Sequence, residues 1–155
     1  MATKKYQFVV PGDAKALCNI RWVVTRLATA AGLPVENIDQ IEVAVDEACT
    51  NVLDHAYKSR NPKPPIHLEI QTDEDGTFTV DVLDTGDSFD FAAYVPPKFP
   101  DHWIEGHERG VGLFLISQFM DDVQYETLET KQNRLRMIKR CKITADRAPE
   151  AVIGA

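Results

Sequence analysis

A chain of 155 residues, 44% hydrophobic and 26% charged, is long enough for one domain with an apolar core and short for two. Its formal charge of −7 argues against a general nucleic-acid binder, which needs a basic stripe facing the phosphates, and against adhesion to an anionic membrane. No apolar run approaches the roughly 20 residues of a membrane span, the opening MATKKYQFVV lacks a signal-peptide core, and Cys18, Cys49 and Cys141 form no disulfide framework, so reduced core thiols and a cytoplasmic location are expected.

Residues 6–10 alternate and stop at Pro11 and Gly12, which predicts a first strand. Asp13 suits a helix N-cap. Leu17, Ile20, Val24, Leu27 and Ala31 then recur at helical spacing as far as Gly32, a fitting C-terminal residue. Pro34 opens a second helix, whose buried stripe is Ile38, Ile41, Val45, Ala48, Val52 and Ala56, and the run NPKPP at 61–65 ends it. Strands follow at 66–72 and 77–83, joined by the DEDG turn at 73–76. Between 84 and 110 periodicity vanishes, and Pro96, Pro97, Pro100, Gly86 and Gly106 punctuate a segment long enough for a lid or binding loop. A helix at 111–120 and strands at 123–127 and 135–139 complete the order, with a loose tail from residue 142. That order predicts a two-layer α/β sandwich: one mixed, mainly antiparallel sheet covered on one face by helices, occupying residues 1–141.

Chemistry-bearing residues gather at three places. On the second helix Glu47 and Asn51 lie one turn apart, about 40° around the axis. Such a polar arc, continued by Asp54, His55 and Lys58, is in most helices only a solvated face. A carboxylate there can also take a proton from an attacking hydroxyl, and an amide oxygen one turn on can ligate a Mg²⁺ that carries phosphates. Asp84 and Gly86 follow a strand, where they make either a plain turn or an acceptor for an adenine amine with close backbone approach. Gly110 and Gly112 enter a helix, as a hinge or as an anion site at its N-terminus, and Arg109 precedes them as a candidate phosphate donor. A Gly-x-x-x-x-Gly-Lys-Ser/Thr loop is absent, as are the His-Arg-Asp and Asp-Phe-Gly elements of eukaryotic-type kinases, and the four histidines lack metal-ligand spacing.

Taken in order, EACTNVLDHAY from Glu47 to Tyr57 resembles the N-box of the Bergerat-fold (GHKL) ATPases, such as histidine kinases, MutL and gyrase. DTGDSF from Asp84 to Phe89 resembles their first glycine box, and RGVGL from Arg109 to Leu113 their second. The DSFD ending of the first box and FMDDV from Phe119 to Val123 are similar to the RsbW-type anti-sigma-factor serine kinases, with resemblance over residues 6–140. The resemblance implies a Bergerat fold that binds ATP with Mg²⁺ and phosphorylates a serine of a STAS-domain anti-anti-sigma protein. It further implies a sigma factor as second partner, a homodimer, and no direct contact with nucleic acid or membrane. Glu47 becomes the catalytic base, Asn51 the Mg²⁺ ligand and Asp84 the adenine reader. His55, Gly86, Ser88, Arg109, Gly110, Val111, Gly112 and Leu113 complete the nucleotide site. Arg109 stands where a small residue is common, and ETKQN at 129–133 lacks the glycine often found before the last strand. Two other functions fit the same residues: a partner-switching kinase with a target outside sigma circuits, and a non-catalytic nucleotide-gated binding module.

Overall fold

A computed structural model describes residues 2–94 and 111–143. The chain runs β1 (Thr3–Val10), a 3-10 turn (Ala14–Ala16), α1 (Leu17–Ala30), α2 (Val35–Asn51), a π-helical turn (Val52–Ala56), β2 (Ile66–Asp73) and β3 (Thr77–Asp84). After a second 3-10 turn (Phe91–Ala93) come α3 (Val111–Phe119), β4 (Asp122–Thr127) and β5 (Asn133–Arg140). The strands form one sheet in the order β1-β2-β3-β5-β4, and each neighbouring pair is antiparallel. The two-layer sandwich expected from the sequence therefore forms, with a sheet that is antiparallel throughout the described strands.

Period-two alternation decides which face is covered. Leu68, Ile70, Val80, Val82 and Met137 are buried beneath Ile20, Val24 and Leu27 of α1 and Ile41, Val45 and Ala48 of α2. The opposite face carries the polar row Gln7, Glu69, Asp81, Arg136 and Gln124 across all five strands. There Asp81 accepts two bonds from Arg136, Nε to Oδ1 at 2.8 Å and Nη2 to Oδ2 at 2.7 Å. A forked pair of this kind satisfies a carboxylate that is 3% exposed. Helix α2 is the centre of the helical layer, since α1 and α3 both pack on it.

Local signals explain most boundaries. The Asp13 carboxylate accepts from Lys15 N–H at 3.0 Å and so caps the 3-10 turn that leads into α1. Gly32 takes φ +80° just past α1, a conformation that favours glycine. Pro34 is extended and precedes α2 as its N-cap, one position earlier than expected. Helix α2 also stops earlier than its apolar stripe suggests. After Asn51 the Tyr57 N–H reaches back five residues to the Val52 carbonyl at 2.8 Å, and Val52–Ala56 forms a π turn. β5 begins at Asn133, two residues sooner than the alternation suggests.

The cysteines divide. Cys49 and Cys141 are buried, whereas Cys18 is exposed and does not join the core. Burial, aided by the Asp46 carboxylate, pushes the Cys49 thiol up to about 12, so it stays protonated. The segment expected to lack structure contains the short turn Phe91–Ala93. Pro96, Pro97, Pro100, Trp103 and Gly106 lie outside the described residues, as does the tail from residue 144. Among the described residues no helix is long and apolar enough to cross a membrane.

Candidate functional site

Glu47 and Asn51 close the last turns of α2, and the first turn of α3 lies against them. A Cβ built on Gly112 would stand 2.7 Å from Glu47 Oε2 and 3.6 Å from both polar atoms of the Asn51 amide. Only a glycine allows this approach with both side chains where they are. Partial burial raises the Glu47 pKa above the ordinary carboxylate value, and the Asp46 charge adds to the rise. Asp46 is itself held by Arg21 at 2.8 Å across the α1–α2 contact. A carboxylate desolvated in this way is a stronger proton acceptor near neutral pH than a free one.

Asp84 ends β3 and is 5% exposed. Its Oδ1 accepts from the Gly86 N–H at 2.9 Å and from Asn133 Nδ2 at 2.9 Å. Burial raises its pKa, and the bonds from Asn133 and Gly86 oppose that rise. The loop after Asp84 is bolted to the π turn. A Cβ on Gly86 would lie 2.2 Å from the Ala56 carbonyl oxygen, and the same oxygen accepts from Asp87 N–H at 3.0 Å. Next to it, the fully buried Tyr57 hydroxyl accepts from Thr85 N–H at 3.1 Å and donates to the Pro65 carbonyl at 2.9 Å.

These two constellations share a cavity of about 660 Å³. Ala48, Val52, Val82, Leu113 and Leu135 give it apolar walls, and Asn51, His55, Asp84 and Ser88 supply polar groups. Aromatic rings stand on one side: Phe91 stacks with Tyr125 at 6.3 Å and with Tyr94 at 6.4 Å between centroids, and Tyr125 OH accepts from Phe89 N–H at 2.9 Å. An apolar cavity with one oriented carboxylate suits a planar base that donates a hydrogen bond from an exocyclic amine. Asn51 offers the cavity a neutral amide oxygen. Among the described residues no group of three His, Cys, Asp or Glu side chains could hold a metal alone. The donor set therefore fits a Mg²⁺ that takes most of its oxygens from phosphates and water.

Of the residues singled out in the sequence, Asn51, His55, Asp84, Ser88 and Leu113 line the cavity. Glu47 and Gly112 adjoin it through their mutual contact, and Gly86 lies behind it on the π turn. Val111 opens α3 and is not among the lining residues. Arg109 and Gly110 lie outside the described residues. Tyr57, Asn133 and the Phe91–Tyr125 ring pair were missed. Tyr57 ends the N-box run, but nothing in its spacing says that it turns inward. Asn133 sits in the segment noted only for its missing glycine, where Lys131 takes the left-handed conformation at φ 64° and completes the turn.

The family model of the histidine kinase-like ATPase domain matches residues 10–139. The serine-protein kinase RsbW of Bacillus subtilis is 34% identical over 122 residues, spanning 76% of this chain and 74% of the relative. RsbW of Staphylococcus aureus is 36% identical over 118 residues, spanning 74% of each. Among solved structures, the SiaB–SiaC complex of Pseudomonas aeruginosa aligns with a TM-score of 0.64 at 15% identity, covering 86% of this chain and 88% of that one. The RsbU and RsbW domains of a Mycobacterium tuberculosis protein align with a TM-score of 0.64 at 14% identity, covering 89% of this chain and 32% of that one. At such identities the two structures speak for the fold.

Proposed function

Because this chain belongs to the histidine kinase-like ATPase family, on the branch of the RsbW serine-protein kinases, we propose that it transfers the γ-phosphoryl group of ATP to a serine of a small STAS-type protein and so controls a sigma factor in a partner-switching circuit. The observation that carries this reading is the meeting of Gly112 with Glu47 and Asn51 beside the cavity that Asp84 lines. A carboxylate, an amide and a second, buried carboxylate thus stand at one cavity of nucleotide size, as a proton acceptor, a metal ligand and a base reader would have to.

The geometry supports a division of labour. Asp84 accepts a hydrogen bond from the adenine amine while the apolar walls exclude water from the base. Asn51 offers its amide oxygen to Mg²⁺, which when bound neutralises charge on the phosphates. Glu47 accepts the proton of the substrate serine as that hydroxyl oxygen bonds to the γ-phosphorus and the bond to the ADP oxygen breaks. Phosphoryl transfer asks little covalent chemistry of a protein, so positioning and charge neutralisation carry most of the acceleration. The same reading makes the protein a cytoplasmic homodimer with no direct nucleic-acid contact.

The test is capture of partners from the native cell extract with and without ATP, followed by phosphosite mapping and in vitro transfer from labelled ATP. The expected outcome is a STAS-type protein phosphorylated on serine and a sigma factor held by the kinase. Nucleotide binding with no transfer to any captured protein would mean a nucleotide-gated binding module. Transfer to a STAS-type protein with no sigma factor recovered would place the kinase in another partner-switching circuit.

A further inference from the structure

Asn133 is the residue of the cavity region whose hydrogen bonding is most completely specified. It is 1% exposed at the start of β5, directly opposite Asp84 in the β3–β5 register. Its Nδ2 donates to Asp84 Oδ1 at 2.9 Å and to the Gly86 carbonyl at 3.0 Å. Its Oδ1 accepts from the Thr127 hydroxyl at 3.0 Å. These partners fix which way the amide points, since two acceptors face the nitrogen and a hydroxyl donor faces the oxygen. The Gly86 N–H adds a second donor to Asp84 Oδ1. One carboxylate oxygen is thereby occupied by two donors, and the carboxylate is held rigidly as an acceptor.

We propose that Asn133 is a positioning residue that keeps Asp84 an oriented acceptor and through it selects 6-amino over 6-oxo purine nucleotides. The proposal rests on the reading of Asp84 as the base-contacting group. An ionised carboxylate accepts from an amine and repels a 6-oxo group, whereas a protonated carboxyl can donate to the 6-oxo group instead. Selection of the purine is then a question of whether Asp84 keeps or loses its proton in a buried place. Burial favours the protonated form, and the Asn133 amide together with Gly86 favours the ionised one. Among the described residues, the other titratable groups lining the cavity are His55 on the π turn, Asp87 and Asp90 on the loop after β3, Tyr94, and Tyr125 on β4, with Glu47 beside it. Among the described residues Asn133 is the side chain that donates a hydrogen bond to Asp84, so its neutral amide stabilises the charge.

The test measures dissociation constants of ATP and inosine triphosphate, each with Mg²⁺, by calorimetry between pH 5 and 8. The proteins are the wild type, Asn133→Leu, Asn133→Asp and Thr127→Val. Wild type is expected to prefer ATP and to lose that preference on the acid side. Asn133→Leu removes the amide donor to Asp84 and leaves only that of Gly86, so ATP binding at neutral pH weakens by about tenfold and the ATP-to-inosine ratio narrows. The acid midpoint moves to higher pH in Asn133→Leu and further in Asn133→Asp, where two carboxylates compete for one proton. Thr127→Val, at an exposed position, frees the amide to turn and shifts the midpoint in the same direction by less, which keeps the test open if the Leu variant does not fold. Folded variants with unchanged base ratio and unchanged midpoint overturn the role of Asn133. A wild type that shows no preference for ATP instead overturns the Asp84 assignment on which the role depends.

Discussion

Substitution of alanine for either site glycine makes the same chemical change with different expected consequences. In Gly86→Ala the new methyl would stand 2.2 Å from the Ala56 carbonyl oxygen, where ordinary contacts begin at 3.4 Å. Both sides of that contact are backbone, so one must retreat by about 1 Å, and the Asp87 N–H to Ala56 bond is lost with it. Overpacking of this kind costs about 1–3 kcal/mol and the lost bond about 1 kcal/mol more. A chain of this size should then melt roughly 5–15 °C lower. Asp84 moves with the loop, so ATP affinity falls roughly ten- to a hundredfold, the worth of one hydrogen bond to a charged group. In Gly112→Ala the methyl meets the end of the Glu47 side chain at 2.7 Å, which can swing away. Helix propensity gains up to about 1 kcal/mol there, so stability is expected to hold. Displacement of the carboxylate should lower turnover far more than ATP affinity. Thermal melting, calorimetric ATP titration and single-turnover phosphorylation separate the two cases. A Gly86→Ala protein with wild-type melting temperature and ATP affinity would refute the close approach of loop and turn.

Glu47→Gln should keep ATP binding and lower phosphoryl transfer by about 10²–10⁴-fold, the usual contribution of a positioned general base. Because the Glu47 pKa is raised in the folded protein, its ionisation opposes folding, a cost that grows as pH rises through that value; at neutral pH the Gln variant should melt at or above the wild-type temperature. For the same reason wild-type transfer should fall as pH drops through a value above the ordinary carboxylate range, and the pH–rate profile of the single-turnover step reads that position directly. Asn51→Ala should weaken Mg-ATP binding by roughly tenfold or more, with a smaller effect on nucleotide measured without Mg²⁺. Tyr57→Phe removes the hydroxyl that joins Thr85 to Pro65, costs about 1–2 kcal/mol in denaturant unfolding, and should raise the ATP dissociation constant more than it lowers turnover.

Legibility in the sequence tracked the distance over which each signal acts. The hairpin of β2 and β3 is plain from two alternating runs and an Asp/Gly turn, all within 19 residues. Glu47 and Asn51 could be paired because one helical turn separates them. Asn133 could not be tied to Asp84, since they stand 49 positions apart and only strand register brings them together. The same holds for Tyr125 beside Phe89 and Phe91, where a β4 ring meets a loop more than thirty residues earlier. Cys18 was misjudged because it falls inside a helical pattern, yet it follows Leu17 by about 100° of rotation and so leaves the buried stripe. Lys131 shows the converse: a turn where glycine is often found is built by a residue that accepts the left-handed conformation at an exposed site.

The π turn after α2 also sets a phase. In a regular helix Tyr57, five residues past the buried Val52, would point about 140° away from it. The five-residue hydrogen bond widens the turn and brings position 57 back beneath position 52, with the phenol in the interior. Orientation at this corner is therefore governed by residue count as much as by residue type. Deleting one of residues 53–55 would place Tyr57 four residues past Val52, about 40° from it in an ordinary helix and still inward. Adding a residue there would place it six past, about 120° away, swing it toward water and release the loop that carries Asp84. Point changes at the exposed Asp54 and the loss of one residue should be absorbed, whereas an added residue should not, and homologous chains that keep this corner are expected to keep its spacing or to shorten it by one.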